Sequence, residues 1–168
     1  LLDNLGKSND VLKAAKVLLK ADVEPVQCAG LRLLIKNDAA NASKYVTEAL
    51  KSNNRDFRNA ALRYGVDYAG KGIIDAVAAK AGGLGADALT DVVRWLGNNK
   101  AANQMNIVEK AIGSSNEELA HAGIEAAGKI GGDAALQALM TALQGNHSAQ
   151  AQSALLSFNG NIGNAVVK

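Results

Sequence analysis

Sliding the sequence along itself by 31 residues brings its apolar positions into register without a gap. Leu31, Leu62, Val93, Ile124 and Leu155 fall in one column, and Gly30, Ala61, Val92, Gly123 and Ala154 fall in the column before it. One turn later come Leu34, Gly65, Leu96, Ala127 and Phe158. Two further apolar columns hold Val46, Val77, Val108 and Leu139, and Leu19, Leu50, Ala81, Ile112 and Leu143. Polar positions keep the same step: Asn37, Asn99 and Asn161 share one column, and Pro25, Asp56, Asp87 and Glu118 share another. A period of this length is the mark of stacked supersecondary units, and it limits the chain to folds that repeat one local structure.

Inside each unit the apolar residues recur at three and four, the period of an amphipathic helix. Two such runs occur per unit, separated by Gly and Asn. The pattern predicts helices over 55–66 and 71–81, over 87–97 and 101–113, and over 116–130 and 133–144. The column of Pro25, Asp56, Asp87 and Glu118 reads as a first helical turn, where proline is tolerated and a carboxylate faces the positive end of the helix dipole. Residues 1–20 read as a lone second helix with Leu12, Ala15 and Leu19 toward the core, and Ile162–Lys168 as the start of another. A hairpin of this size cannot bury its apolar stripe alone, so neighbouring units must cover it. The expected fold is all-α, a right-handed α-solenoid of about five 31-residue helical hairpins. It is expected to form a single array over 1–168, as a piece of a longer chain.

The phrase GIEAAGKIGGDAALQALMTAL at 123–143 resembles HEAT repeats, in particular the short HEAT-like repeats of the phycobilin lyase type. That type runs as an alanine-rich helix, a Leu-Gly-x-Ile-Gly-like turn and then Ala-x-x-x-Leu-x-x-x-Leu. Residues 126–143 follow the pattern well, 91–112 moderately, and 29–50 and 60–81 loosely. The resemblance implies an ARM-like superhelix that serves as a protein-binding scaffold or as an attached module. A few such arrays are enzymes, among them DNA glycosylases.

Composition narrows the function. Net charge is +2 and aromatics are 4% of the chain, which argues against nucleic acid as a partner. The charge is uneven: residues 1–84 hold 13 Lys/Arg against 9 Asp/Glu, net +4, and residues 85–168 hold 5 against 7, net −2. Cys28 is the single cysteine, so neither a disulfide framework nor a thiolate metal site is expected. No apolar run reaches the roughly 18 residues of a membrane span.

Chemical motifs are few. GVDYAGKG at 65–72 imitates a phosphate-binding loop, but Gly72 stands where a magnesium-binding hydroxyl is needed and a helix precedes it instead of a strand. His121 and His147 lie in different units with no third ligand at metal spacing. GGLG at 82–85 reads as a connection, and the Asn41 and Asn146 triplets read as helix caps. A repeat-type glycosylase would need a basic cleft with clustered aromatics, and the six aromatics here do not gather on the second helices. The chain is therefore read as a non-enzyme without cofactor or metal.

Two surfaces remain. Helical spacing projects Lys13, Lys16, Lys20, Lys44, Glu48, Lys51 and Lys110 from the second helices, a basic lane suited to an acidic protein or peptide. On the first helices Arg32, Arg63 and Arg94 fall one unit apart, with Tyr64 and Trp95 in the next column. These are the residue types of interface hot spots. A helical-wheel count turns this ladder away from the core, and its packing alternative pairs Arg94 with Asp91 and Arg63 with Asp67. Protein binding through these surfaces is the expected function. The alternative is a non-catalytic accessory or spacer domain of a larger bacterial multidomain enzyme, covalently linked to it.

Overall fold

The structure, a computed structural model, describes residues 9–158. Ten α-helices and no strand occur among them. The chain falls into two compact units, Leu1–Leu84 and Gly85–Lys168.

Five of the helices begin at Glu24, Arg55, Ala86, Glu117 and Ser148, each 31 residues after the one before. They are α2 (Glu24–Asn37), α4 (Arg55–Ala69), α6 (Ala86–Asn98), α8 (Glu117–Ile130) and α10 (Ser148–Leu156). The local chemistry of the starts recurs as well. Asn54 Oδ1 accepts from the Phe57 N–H at 3.0 Å, and Asn116 Oδ1 accepts from the Leu119 N–H at 3.0 Å. Ahead of each cap a serine hydroxyl accepts from the cap's own N–H, Ser52 from Asn54 and Ser114 from Asn116, both at 3.1 Å. At the other end Asn37 and Asn99 donate back to the carbonyls of Leu33 and Trp95, at 2.8 and 2.9 Å. Asn161 of that column lies outside the described residues. Gly70 and Gly131 close α4 and α8 at φ 79° and 72°, a conformation glycine adopts without cost to a Cβ.

Between the long helices lie α1 (Asn9–Leu18), α3 (Ala42–Ala49), α5 (Ile73–Ala78), α7 (Met105–Ile112) and α9 (Gly132–Leu143). Three of them are shorter than a full amphipathic run and share their segment with a 3-10 turn: Ala39–Asn41 before α3, Ala81–Gly83 after α5 and Ala102–Gln104 before α7. The sequence pattern places single helices over 71–81 and 101–113. The first stops at Ala78 and gives way to the 3-10 turn Ala81–Gly83, and Lys100, at φ 53°, resets the chain ahead of the second. The expected helix at Ile162–Lys168 lies outside the described residues.

The apolar columns are the core. Leu31, Leu62, Val93 and Ile124 are buried, as are Val46, Val77, Val108 and Leu139. The small column before Leu31 has a stricter job. In the first unit α2 crosses α1 so closely that a Cβ on Gly30 would sit 2.6 Å from the Leu19 nitrogen and 2.7 Å from the Ala15 oxygen. In the second, α8 crosses α7 with Gly123 only 2.8 Å, by the same measure, from the Ile112 nitrogen. Backbone alone fills the space at Gly30, and at Gly123 the Ile112 backbone does so together with the Ile112 and Ala111 side chains.

Gly30→Ala and Gly123→Ala are each expected to destabilise the protein by about 1–3 kcal/mol, although alanine is the better helix former by about 1 kcal/mol. Urea unfolding would read the sign directly. Stabilisation by either substitution would mean the helices are not in backbone contact. Asn54→Ala and Asn116→Ala are each expected to cost about 1 kcal/mol through the lost cap.

Candidate functional site

In the first unit, burial of Val11 and Ala15 fixes the face that α1 turns inward, and Lys13, Lys16 and Lys20 are exposed. In α3, Ala42, Val46 and Ala49 are buried, while Lys44 and Glu48 are exposed and Lys51 follows in the turn. Lys51 Nζ pairs with Glu48 at 2.7 Å, and Lys13 lies 3.7 Å from Asp10. These pairs are largely exposed, so their worth is small. Lys20 and Lys44 form no ion pair with another described residue. Lys110 stands exposed on α7 of the second unit.

A polar cluster lies beside the lysines. The Tyr45 hydroxyl donates to Asp38 Oδ2 at 2.6 Å, and Asn41 Nδ2 donates to both oxygens of the same carboxylate at 3.1 and 3.0 Å. The Tyr45 hydrogen bond, then the Asn41 one, with the positive charge of Lys16 adding to them, holds the Asp38 carboxyl below its ordinary value. The same bond to Asp38, helped by burial, pushes Tyr45 up to about 12. Sequence reading passed over this cluster, although an Asp-x-x-Asn ahead of a helix is a recognisable local hydrogen-bonding pattern.

Next to Tyr45 a groove of about 360 Å³ opens among α2, α3, the start of α4 and the turn after α1. Leu19, Leu31, Ala49 and Phe57 give it an apolar lining, with Gln27, Glu48, Lys51 and Ser52 around them. Of the expected basic lane, then, Glu48 and Lys51 border a recess as well as a charged face.

The arginine ladder is placed differently from expectation. Trp95 is only 8% exposed. Eight of the thirteen residues of α6 are buried, Ala88, Val92, Val93 and Leu96 among them, so burial extends around the helix to the indole. Arg94 reaches across to α8, with Nη1 3.1 Å from Glu118 and Nε 3.9 Å from Glu125, so these ion pairs run between helices instead of to Asp91 on its own helix. In the first unit Arg32 is half-buried on α2. The Arg63 guanidinium lies 5.2 Å from the centre of the half-buried Tyr64 ring, which in turn meets Tyr68 at 6.2 Å. Arg63 and Tyr64 are thus surface-facing, while Arg94 and Trp95 serve packing.

The two histidines, read as separate, meet. Their ring centres lie 5.3 Å apart at an interplanar angle of 86°. His147 is the residue ahead of α10, and α10 packs beside α8, which carries His121. Below them a cleft of about 470 Å³ runs between α8 and α10, floored by Ile124, Gly128 and Ala154. Among the described residues no group of three His, Cys, Asp or Glu is arranged to hold a metal ion. GVDYAGKG is the end of α4 and its glycine stop, not a phosphate loop. Burial, and then the charge of Glu24, raises the Cys28 thiol above its ordinary value, which keeps it protonated and a poor nucleophile. No helix among the described residues is long and apolar enough to cross a membrane.

No protein-family model matches the sequence, and no curated protein matches it.

Because the folded value of Tyr45 lies above its ordinary 10.0, its hydrogen bond contributes stability that is complete below pH 10.0 and is lost as pH climbs through about 12. Asp38 acts at the other end, where its share is lost as pH falls through the lowered carboxylate value. Ultraviolet difference titration should show one tyrosine ionising late, near pH 12, and Tyr45→Phe should abolish that step. In the same variant Asp38 should titrate nearer its ordinary 3.8.

Proposed function

We propose that this chain is a protein-binding segment of a HEAT-like helical-repeat array, a right-handed α-solenoid of about five hairpins. It performs no chemistry of its own and engages an acidic protein or peptide through the lysine-bearing side of α1 and α3. The observation that carries the reading is the start of α2, α4, α6, α8 and α10 at equal 31-residue steps. Repeat arrays hold a series of equivalent helix faces on a fixed pitch, and such surfaces commonly serve as extended binding sites. The family resemblance rests on 123–143 and is part of the proposal.

Charge supports the choice of surface. Residues 1–84 carry net +4 and residues 85–168 net −2, and Lys13, Lys16, Lys20, Lys44 and Lys51 are all exposed. An exposed cluster of one sign raises the encounter rate with a partner of the other, and its effect weakens with salt.

The test is affinity capture from lysate of the source cell, with bound species identified by mass spectrometry. A parallel bait would carry Lys13→Glu, Lys16→Glu, Lys44→Glu and Lys51→Glu together. A protein held by the unaltered chain at low salt and absent from the altered bait is the expected outcome. No protein enriched by the unaltered bait, or one held equally by both, would overturn the proposal.

A further inference from the structure

The groove beside Tyr45 has a chemistry of its own. We propose that it receives one bulky apolar side chain (Leu, Met, Phe or Trp) from an acidic peptide segment, whose flanking carboxylates meet Lys16, Lys20 and Lys44. The inference rests on the protein-binding reading above and names the anchor that such a partner must carry.

Three observations carry it. First, Leu19, Leu31, Ala49 and Phe57 line the groove, and its volume of about 360 Å³ lies at the low end of the roughly 300–1,000 Å³ of small-molecule clefts. Second, the polar groups around it already have partners. Gln27 Nε2 donates to the Ala21 carbonyl at 2.6 Å, and Ser52 Oγ accepts from the Asn54 N–H at 3.1 Å. Tyr45 donates to Asp38, and Glu48 is paired with Lys51. A small polar ligand would find few converging groups to orient it, whereas an apolar side chain asks for none. Third, the one carboxylate that lines the groove, Glu48, is engaged with Lys51. Lys16 and Lys20 are exposed next to Leu19, and Lys44 is exposed beside Tyr45. An apolar recess with exposed lysines on the segments that form it is complementary to an apolar residue set among acids. An interface concentrates its energy in such an arrangement, a desolvated anchor within a charged rim.

The recess also favours a peptide over an anionic membrane. A bilayer surface is met by protruding apolar side chains, and here the apolar atoms lie in a hollow among helices.

The experiment is selection of a phage-displayed library of random linear peptides on the immobilised full chain, followed by fluorescence anisotropy on the synthesised winners. Winners should carry one Leu, Met, Phe or Trp with Asp or Glu on both sides. Replacing that residue with Ala should weaken binding at least ~10-fold. Gln27→Phe and, separately, Ala49→Met narrow the groove from opposite walls and should each give a comparable loss. Thermal melts identify which variant keeps its fold, so the pair does not depend on either one alone. Acidic winners that tolerate the Ala replacement, or that bind both folded variants normally, would overturn the anchor and leave the acidic-partner reading standing. Winners without acidic residues, or no winners at all, would overturn both. Binding to phosphatidylserine vesicles in place of peptides would overturn the peptide as occupant.

Discussion

Two backbones that meet where no Cβ fits determine how each unit is built. At Gly30 and Gly123 a long helix lies directly on the segment before it, and the nearest atom in each case is a main-chain nitrogen. Such an approach sets the depth at which the two helices cross. With the depth set, the residue after each glycine, Leu31 or Ile124, is delivered into the apolar layer. Val46 and Val108, from the short helices, complete the same layer from the other side. Small residues are therefore the means by which an aromatic-poor chain closes its core. Without large rings to fill gaps, it brings the helices together until there are few gaps to fill.

Burial made most of this architecture legible. Apolar columns 31 residues apart are a direct record of which side chains leave water, and that record is insensitive to small changes at helix ends. The short helices were read less well because their boundaries are decided by hydrogen bonds of one turn. Nothing in the apolar pattern distinguishes the 3-10 turn Ala39–Asn41 from the first turn of α3. The column Asn37 and Asn99 was visible as a repeat, and its chemistry, a side-chain amide closing back on the helix's own carbonyl, needed coordinates.

Surface features split along the same line. Lysines on α1 and α3 could be placed by counting, because a helix with a known inward face has a known outward one. Trp95 could not, since α6 is buried over most of its circumference and a single wheel assumes one wet side. The groove lined by Leu19, Leu31, Ala49 and Phe57 draws on four segments of chain, and the meeting of His121 with His147 depends on α10 lying beside α8. Both arise from tertiary neighbours that no local pattern encodes.

Asn54 uses both ends of one amide. Its oxygen caps α4 through Phe57, while its nitrogen donates to Glu24 Oε2 at 2.9 Å, at the head of α2. Fraying of the first turn of α4 therefore releases a bond that also holds the first turn of α2, and the two helix heads should open together. Amide hydrogens at the two starts would then exchange as one cooperative block, though they stand about thirty residues apart in the chain. An aspartate at position 54 would keep the cap, yet it would set two carboxylates against each other and divide that block in two.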